Sequence, residues 1–120
     1  MNISAVLAAY MIDATAGELA GMVADIDTYL AQVHEVAEER DFVDADLADR
    51  IAGALKALIA EAGDYTGRER NLLAGAIRYF IHSDDANDDL ASPTGFEDDA
   101  QILNAVCRHL AANHLCIDVA

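Results

Sequence analysis

Thr15-Ala16-Gly17-Glu18-Leu19-Ala20-Gly21-Met22-Val23-Ala24-Asp25-Ile26-Asp27-Thr28-Tyr29-Leu30 decides the fold class. Thr15 followed three positions later by Glu18 is a capping box: the hydroxyl accepts from the Glu18 amide and the carboxylate reaches back to the Thr15 amide. Behind it, Leu19, Met22, Val23, Ile26, Tyr29, Leu30, Val33 and Val36 recur at threes and fours, tracing one apolar stripe on a helix that reaches about Arg40.

The same period extends to both sides. Ile3, Val6, Leu7, Tyr10 and Met11 predict a short first helix, either separate from the second or joined to it through a kink. Asp41 or Asp44 suits the cap of a helix with the stripe Leu47, Ile51, Leu55, Leu58 and Ile59, and Gly63 offers a left-handed stop. Thr66-Gly67-Arg68-Glu69 is a second capping box, opening a helix through Leu72, Leu73, Ala76, Ile77, Phe80 and Ile81. An acidic stretch from about Ser83 to Glu97, holding the only Pro, predicts a loop. The last helix is expected to begin near Asp98, where two carboxylates favour the positive end of the helix dipole, and to run through Leu103, Val106, Cys107 and Leu110. No segment alternates with period two. The reading is all-α: one domain over residues 1–120, a small bundle of four or five helices with an acidic loop before the last.

Composition agrees. Of 120 residues, 25 are Ala and none is Trp, which suits helices packed closely through small side chains. With 22 acidic residues against seven Lys and Arg, the net charge is -15. Phosphate backbones and anionic lipid surfaces repel such a chain, so direct nucleic-acid binding is not expected, whereas cations and basic proteins are suitable partners. Acidity also serves solubility alone. No apolar run approaches the ~18 residues of a membrane span, and the N-terminus lacks the basic region of a secretory signal. Cys107 and Cys116 make no disulfide framework. A cytoplasmic, reduced protein is expected.

Between Arg78 and Arg108 there is no Lys or Arg, while Asp84, Asp85, Asp88, Asp89, Glu97, Asp98 and Asp99 all stand there. Such carboxylates repel one another unless they are solvated, used as caps, paired or neutralised by a cation. Tyr79-Phe80-Ile81-His82-Ser83-Asp84-Asp85-Ala86-Asn87-Asp88-Asp89-Leu90-Ala91-Ser92-Pro93-Thr94-Gly95-Phe96-Glu97-Asp98-Asp99 resembles the signature of the YkvA-like family, bacterial helical domains of unknown function. The match lies in Asp85, Asp89, Gly95, Phe96, Asp98 and Asp99, and the flanking helices extend it over residues 68–112. Pro is usual in that family at the positions of Ser83, Asp88 and Ser92, and large apolar residues at Ala86 and Asn87, so this loop is more polar. The resemblance implies a fold and carries no catalytic role.

Asp85 and Asp89 face the same way if the segment is locally helical, and Asp98 and Asp99 could meet them across the loop. Four convergent carboxylates would suit Ca²⁺ or Mg²⁺. An EF-hand is excluded: counting from Asp85, Leu90 stands where Gly is required and Phe96 where the bidentate Glu belongs. Asp84, Asp88 and Glu97 would add to an interaction surface. Cys107, His109, His114 and Cys116 invite a zinc reading. On one continuous helix, however, Cys107 shares a face with His114 while His109 and Cys116 lie nearly opposite, so all four could converge only if the helix ended near Asn113. His82 would suit a helix C-terminus when protonated. No hydrolase, zincin, P-loop or dinucleotide motif is present. The expected function is non-enzymatic: an interaction or regulatory module, with an inhibitor or immunity protein as one form, presenting acidic surface to a basic partner. The alternative is a divalent-cation-binding protein or cation-dependent hydrolase using Asp85, Asp89, Asp98 and Asp99.

Overall fold

In the computed structural model, residues 2–41, 43–81 and 95–117 are described. Five α-helices account for most of them: α1 (Ile3–Tyr10), α2 (Ala16–Glu39), α3 (Ala45–Ala60), α4 (Gly67–Ile81) and α5 (Gly95–His109). Single 3-10 turns follow α3 (Ala62–Asp64) and α5 (Asn113–Leu115). The described residues contain no strand.

Helix starts follow the cap chemistry. Thr15 Oγ1 accepts from the Glu18 amide at 3.1 Å and Glu18 Oε1 from the Thr15 amide at 3.2 Å. The Thr66–Glu69 box closes equally, at 3.1 and 2.8 Å. Of the two aspartates open to α3, Asp44 is the cap, accepting from Leu47 N at 2.9 Å. α1 and α2 are separate helices: Met11 leaves the helical region at ψ 141, and Thr15 enters extended at ψ 164.

Two termini depart from expectation. Gly63 does not provide a left-handed stop; α3 ends at Ala60 and Gly63 lies inside the 3-10 turn, with no glycine at positive φ among the described residues. The left-handed residue is instead Ala111, at φ 55. There the Ala112 amide bonds to the Cys107 carbonyl at 2.8 Å and the Ala111 amide to that of Arg108 at 3.3 Å, which is a Schellman closure of α5.

α4 is the central helix. Leu72, Leu73, Ala74, Gly75, Ala76 and Ile77 are all buried, and so is Phe80. Six consecutive buried residues cover every face of the helix, so this stretch must be surrounded, and α4 packs against each of α1, α2, α3 and α5. Small side chains let the neighbours close in: a methyl at Gly75 would stand 3.1 Å from Met11 Cγ and 3.4 Å from the Leu7 carbonyl oxygen. The α2–α3 hairpin packs alongside, contributing Leu19, Ile26, Val33, Ile51, Leu55 and Leu58 to the core. Tyr29 is a core residue, edge-on to Phe80 at 5.1 Å, and half-buried Tyr10 meets Tyr79 likewise at 5.3 Å.

The basic residues of α4 fasten loops. Arg70 donates from Nε to the Ala14 carbonyl at 3.3 Å and from Nη1 to the carbonyls of Tyr65 and Ala62. Arg78 Nη1 donates to the Tyr10 carbonyl at 2.5 Å. Half-buried guanidinium groups thus satisfy carbonyls that helix ends and linkers leave over.

Candidate functional site

α5 begins at Gly95, three residues before the position expected, so Asp98 and Asp99 are inside the helix and neither caps it. Glu97 and Asp98 still occupy its first turn, where the dipole favours them. Phe96, packed at 6.2 Å from Phe80, anchors this start in the core. Successive helical residues diverge by about 100°, and the two aspartates separate accordingly. Asp98 is exposed; Asp99 is buried at 3% exposure on the stripe of Phe96, Ala100, Leu103 and Val106. Glu97 is half-buried. His82, Asp84, Asp85, Asp88 and Asp89 lie outside the described residues.

A second acidic concentration escaped the sequence reading. Glu35, Glu38, Glu39, Asp41, Asp44, Asp46 and Asp49 are all exposed around the turn from α2 to α3. The reversal of the chain there brings the end of one helix beside the start of the next. His34 Nε2 meets Asp49 Oδ1 at 2.8 Å, and farther along the hairpin Lys56 pairs with Asp27. The acids were visible in the sequence but were dispersed among cap and stripe positions.

The Cys/His cluster is rearranged by the early end of α5. A continuous helix would have set Cys107 with His114; the left-handed turn at Ala111 instead carries the chain back, so that Cys116 Sγ lies 3.8 Å from the Asn104 carbonyl oxygen, one turn before Cys107 on α5. Burial, and then Cys116 itself, push the Cys107 thiol up from 9.0 to about 12. His109 and His114 are exposed. Among the described residues, no group of three or more His, Cys, Asp or Glu side chains is placed to hold a metal ion. Asn104 fixes the returning segment: its Nδ2 donates to the Ile117 carbonyl and its Oδ1 accepts from the Ile117 amide, both at 2.7 Å.

A cleft of about 220 Å³ opens where α1, α4 and α5 meet, lined by Ser4, Leu7, Met11, Arg68, Leu72 and His109 among others. Arg68 and Arg108 have no carboxylate within ion-pair distance among the described residues. No described helix is long and apolar enough to cross a membrane. The chain matches no protein-family model, no curated protein and no solved structure.

Proposed function

We propose that the chain is a non-enzymatic interaction module that presents acidic surface to a basic protein partner, with an inhibitor or immunity protein as its most specific form. The observation that carries this reading is the exposed acidic end of the α2–α3 hairpin, from Glu35 to Asp49. Seven exposed carboxylates there stand against a single cation in the same stretch, Arg40, while Arg70 and Arg78 of α4 direct their guanidinium groups to backbone carbonyls elsewhere. Potentials of one sign over such an area steer a partner of opposite sign and speed its association. The cytoplasm is the proposed setting. The likeness to YkvA-like domains belongs to the same proposal: the Phe80–Phe96 contact supports it by packing together the two helices that bracket the motif.

Capture from the native host with two baits tests this reading. One is the wild type; the other carries Glu35→Gln, Glu38→Gln, Glu39→Gln and Asp41→Asn, which spare the Asp44 cap and the His34–Asp49 pair. The expected result is a basic protein retained by the wild type, released by salt and not retained by the variant. Equal retention by both baits, or no basic protein at all, overturns it.

The alternative, a cation-binding protein or cation-dependent hydrolase built on Asp85, Asp89, Asp98 and Asp99, draws on the burial of Asp99. Its test is thermal melting with millimolar Ca²⁺ or Mg²⁺ against monovalent salt of equal ionic strength. A large ion-specific rise, lost in Asp89→Asn, would favour it; a small rise common to all salts is screening.

A further inference from the structure

We propose that Cys107 and Cys116 form a reversible redox site, a dithiol that low-molecular-weight disulfides convert to an intramolecular disulfide clasping the C-terminal segment to α5. Three independent features converge on this pair. The Schellman closure at Ala111 ends α5 and reverses the chain. The 3-10 turn Asn113–Leu115 then returns it alongside the helix. Asn104, one turn before Cys107, holds Ile117 through two hydrogen bonds of 2.7 Å, fixing the residue that follows Cys116. Together they bring Cys116 back alongside the turn of α5 that leads to Cys107, although a continuous helix would have kept the two on opposite faces. Cys116 Sγ also lies 3.8 Å from the Asn104 carbonyl oxygen, so its position is set from two sides. Both cysteines are in the thiol form in this structure. A disulfide needs the two backbones already close and the Cβ atoms facing; the Asn104 hydrogen bonds hold the Cys116 segment against α5 for that approach.

The environments assign the order of events. Cys107 is fully buried, whereas Cys116 is half-buried and reachable. The Cys116 thiolate attacks one sulfur of a small disulfide RSSR, forming a Cys116–SR bond as the S–S bond breaks and RS⁻ leaves. Cys107 Sγ then attacks Cys116 Sγ; the second RS⁻ departs and takes up the Cys107 proton. In total, two protein thiols are oxidised to one disulfide and RSSR is reduced to two RSH.

The test uses oxidised glutathione on the full native chain, followed by intact-mass and peptide mass spectrometry under non-reducing conditions. The expected product is a monomer lighter by two hydrogens, with Cys107 linked to Cys116 and full reversal by dithiothreitol. Its melting temperature should exceed that of the dithiol form, because closing a loop restricts the unfolded chain. Cys107→Ala should halt with one glutathione held on Cys116. Cys116→Ser should leave Cys107 unmodified in the folded chain and reactive only in denaturant. The two variants act at different steps, so a folding defect in one leaves the other informative. Wild type that accumulates the mixed disulfide without resolving it, forms only intermolecular dimers, or keeps both thiols under excess oxidant overturns the proposal.

Discussion

Asn71 and Ala14, 57 positions apart in the chain, are joined by a 3.0 Å hydrogen bond from the Ala14 amide to the Asn71 carboxamide oxygen. The other end of the same amide donates to Asp13 Oδ1 at 3.0 Å. One side chain on α4 thereby fixes the linker between α1 and α2. Removing it leaves the amide of a buried alanine without its acceptor, a cost of about 1–3 kcal/mol. Asn71→Ala should lower stability by that amount in denaturant titration. Asp13→Ala, which removes only an exposed acceptor, should cost less than about 0.5 kcal/mol.

Ala111 adopts a conformation that opposes its Cβ. A left-handed L-residue costs roughly 1–2 kcal/mol, which glycine avoids, though glycine loses more entropy on folding. Ala111→Gly should therefore stabilise the chain by about 0.5–1 kcal/mol in chemical denaturation. The Schellman bonds at Cys107 and Arg108 should persist, with slowed exchange of the Ala112 amide.

Two helical glycines should respond in opposite directions. Gly53 is exposed within α3 with no heavy atom within 4 Å of an added methyl, so Gly53→Ala should stabilise by about 0.5–1 kcal/mol. Gly75 faces Met11 and the Leu7 carbonyl at 3.1 and 3.4 Å, so Gly75→Val should cost about 1–3 kcal/mol through overpacking. Paired urea titrations of the two variants check both signs.

Stability should fall in alkali. Burial, followed by the neighbouring Glu61, raises the Tyr65 phenol from 10.0 to about 12, and burial raises the Cys107 thiol from 9.0 to about 12. Both folded values exceed the unfolded ones, so the unfolded chain loses protons first. The resulting stability is complete below about pH 9 and is lost progressively as pH rises toward 12. Urea midpoints measured from pH 8 to 11 should decline, and Cys107→Ala should flatten the first part of that decline.

Cap chemistry and the 3.6-residue period made α1 to α4 legible, because both act over three or four neighbouring residues. The Thr15 and Thr66 boxes formed as read, and each stripe turned toward the core, although in α1 only Leu7 is fully buried. The start of α5 was misplaced because an aspartate pair looks like a cap, whereas the helix sets in three residues earlier, with Phe96 packed on Phe80. Its end was hidden for another reason. A left-handed alanine has no mark in sequence, and the turn it makes decides whether Cys116 points away from α5 or returns alongside it. The roles of Arg70 and Arg78 depend on carbonyls brought from other elements, so counting charges could not anticipate them. For the same reason, the acidic end of the α2–α3 hairpin emerges only once the two helices are folded against each other.

The seating of α1 on α4 gives the bundle a detachable outer layer. Eight residues are too few to hold a helix alone in water, and Leu7 is the one α1 side chain that is fully buried. The attachment includes the close fit at Gly75, the Tyr10–Tyr79 ring contact, the Arg78 bond to Tyr10 and the bonds of Ala14 to Asn71 and Arg70, with lighter packing on α5. The rest of the core, between α2, α3, α4 and α5, does not pass through it. Amide hydrogens of α1 should therefore exchange through a partial opening well below the free energy of global unfolding. Such an opening would uncover Leu72 and Gly75 while the remaining helices stay in place. Protease sensitivity in this chain should accordingly begin between Tyr10 and Thr15.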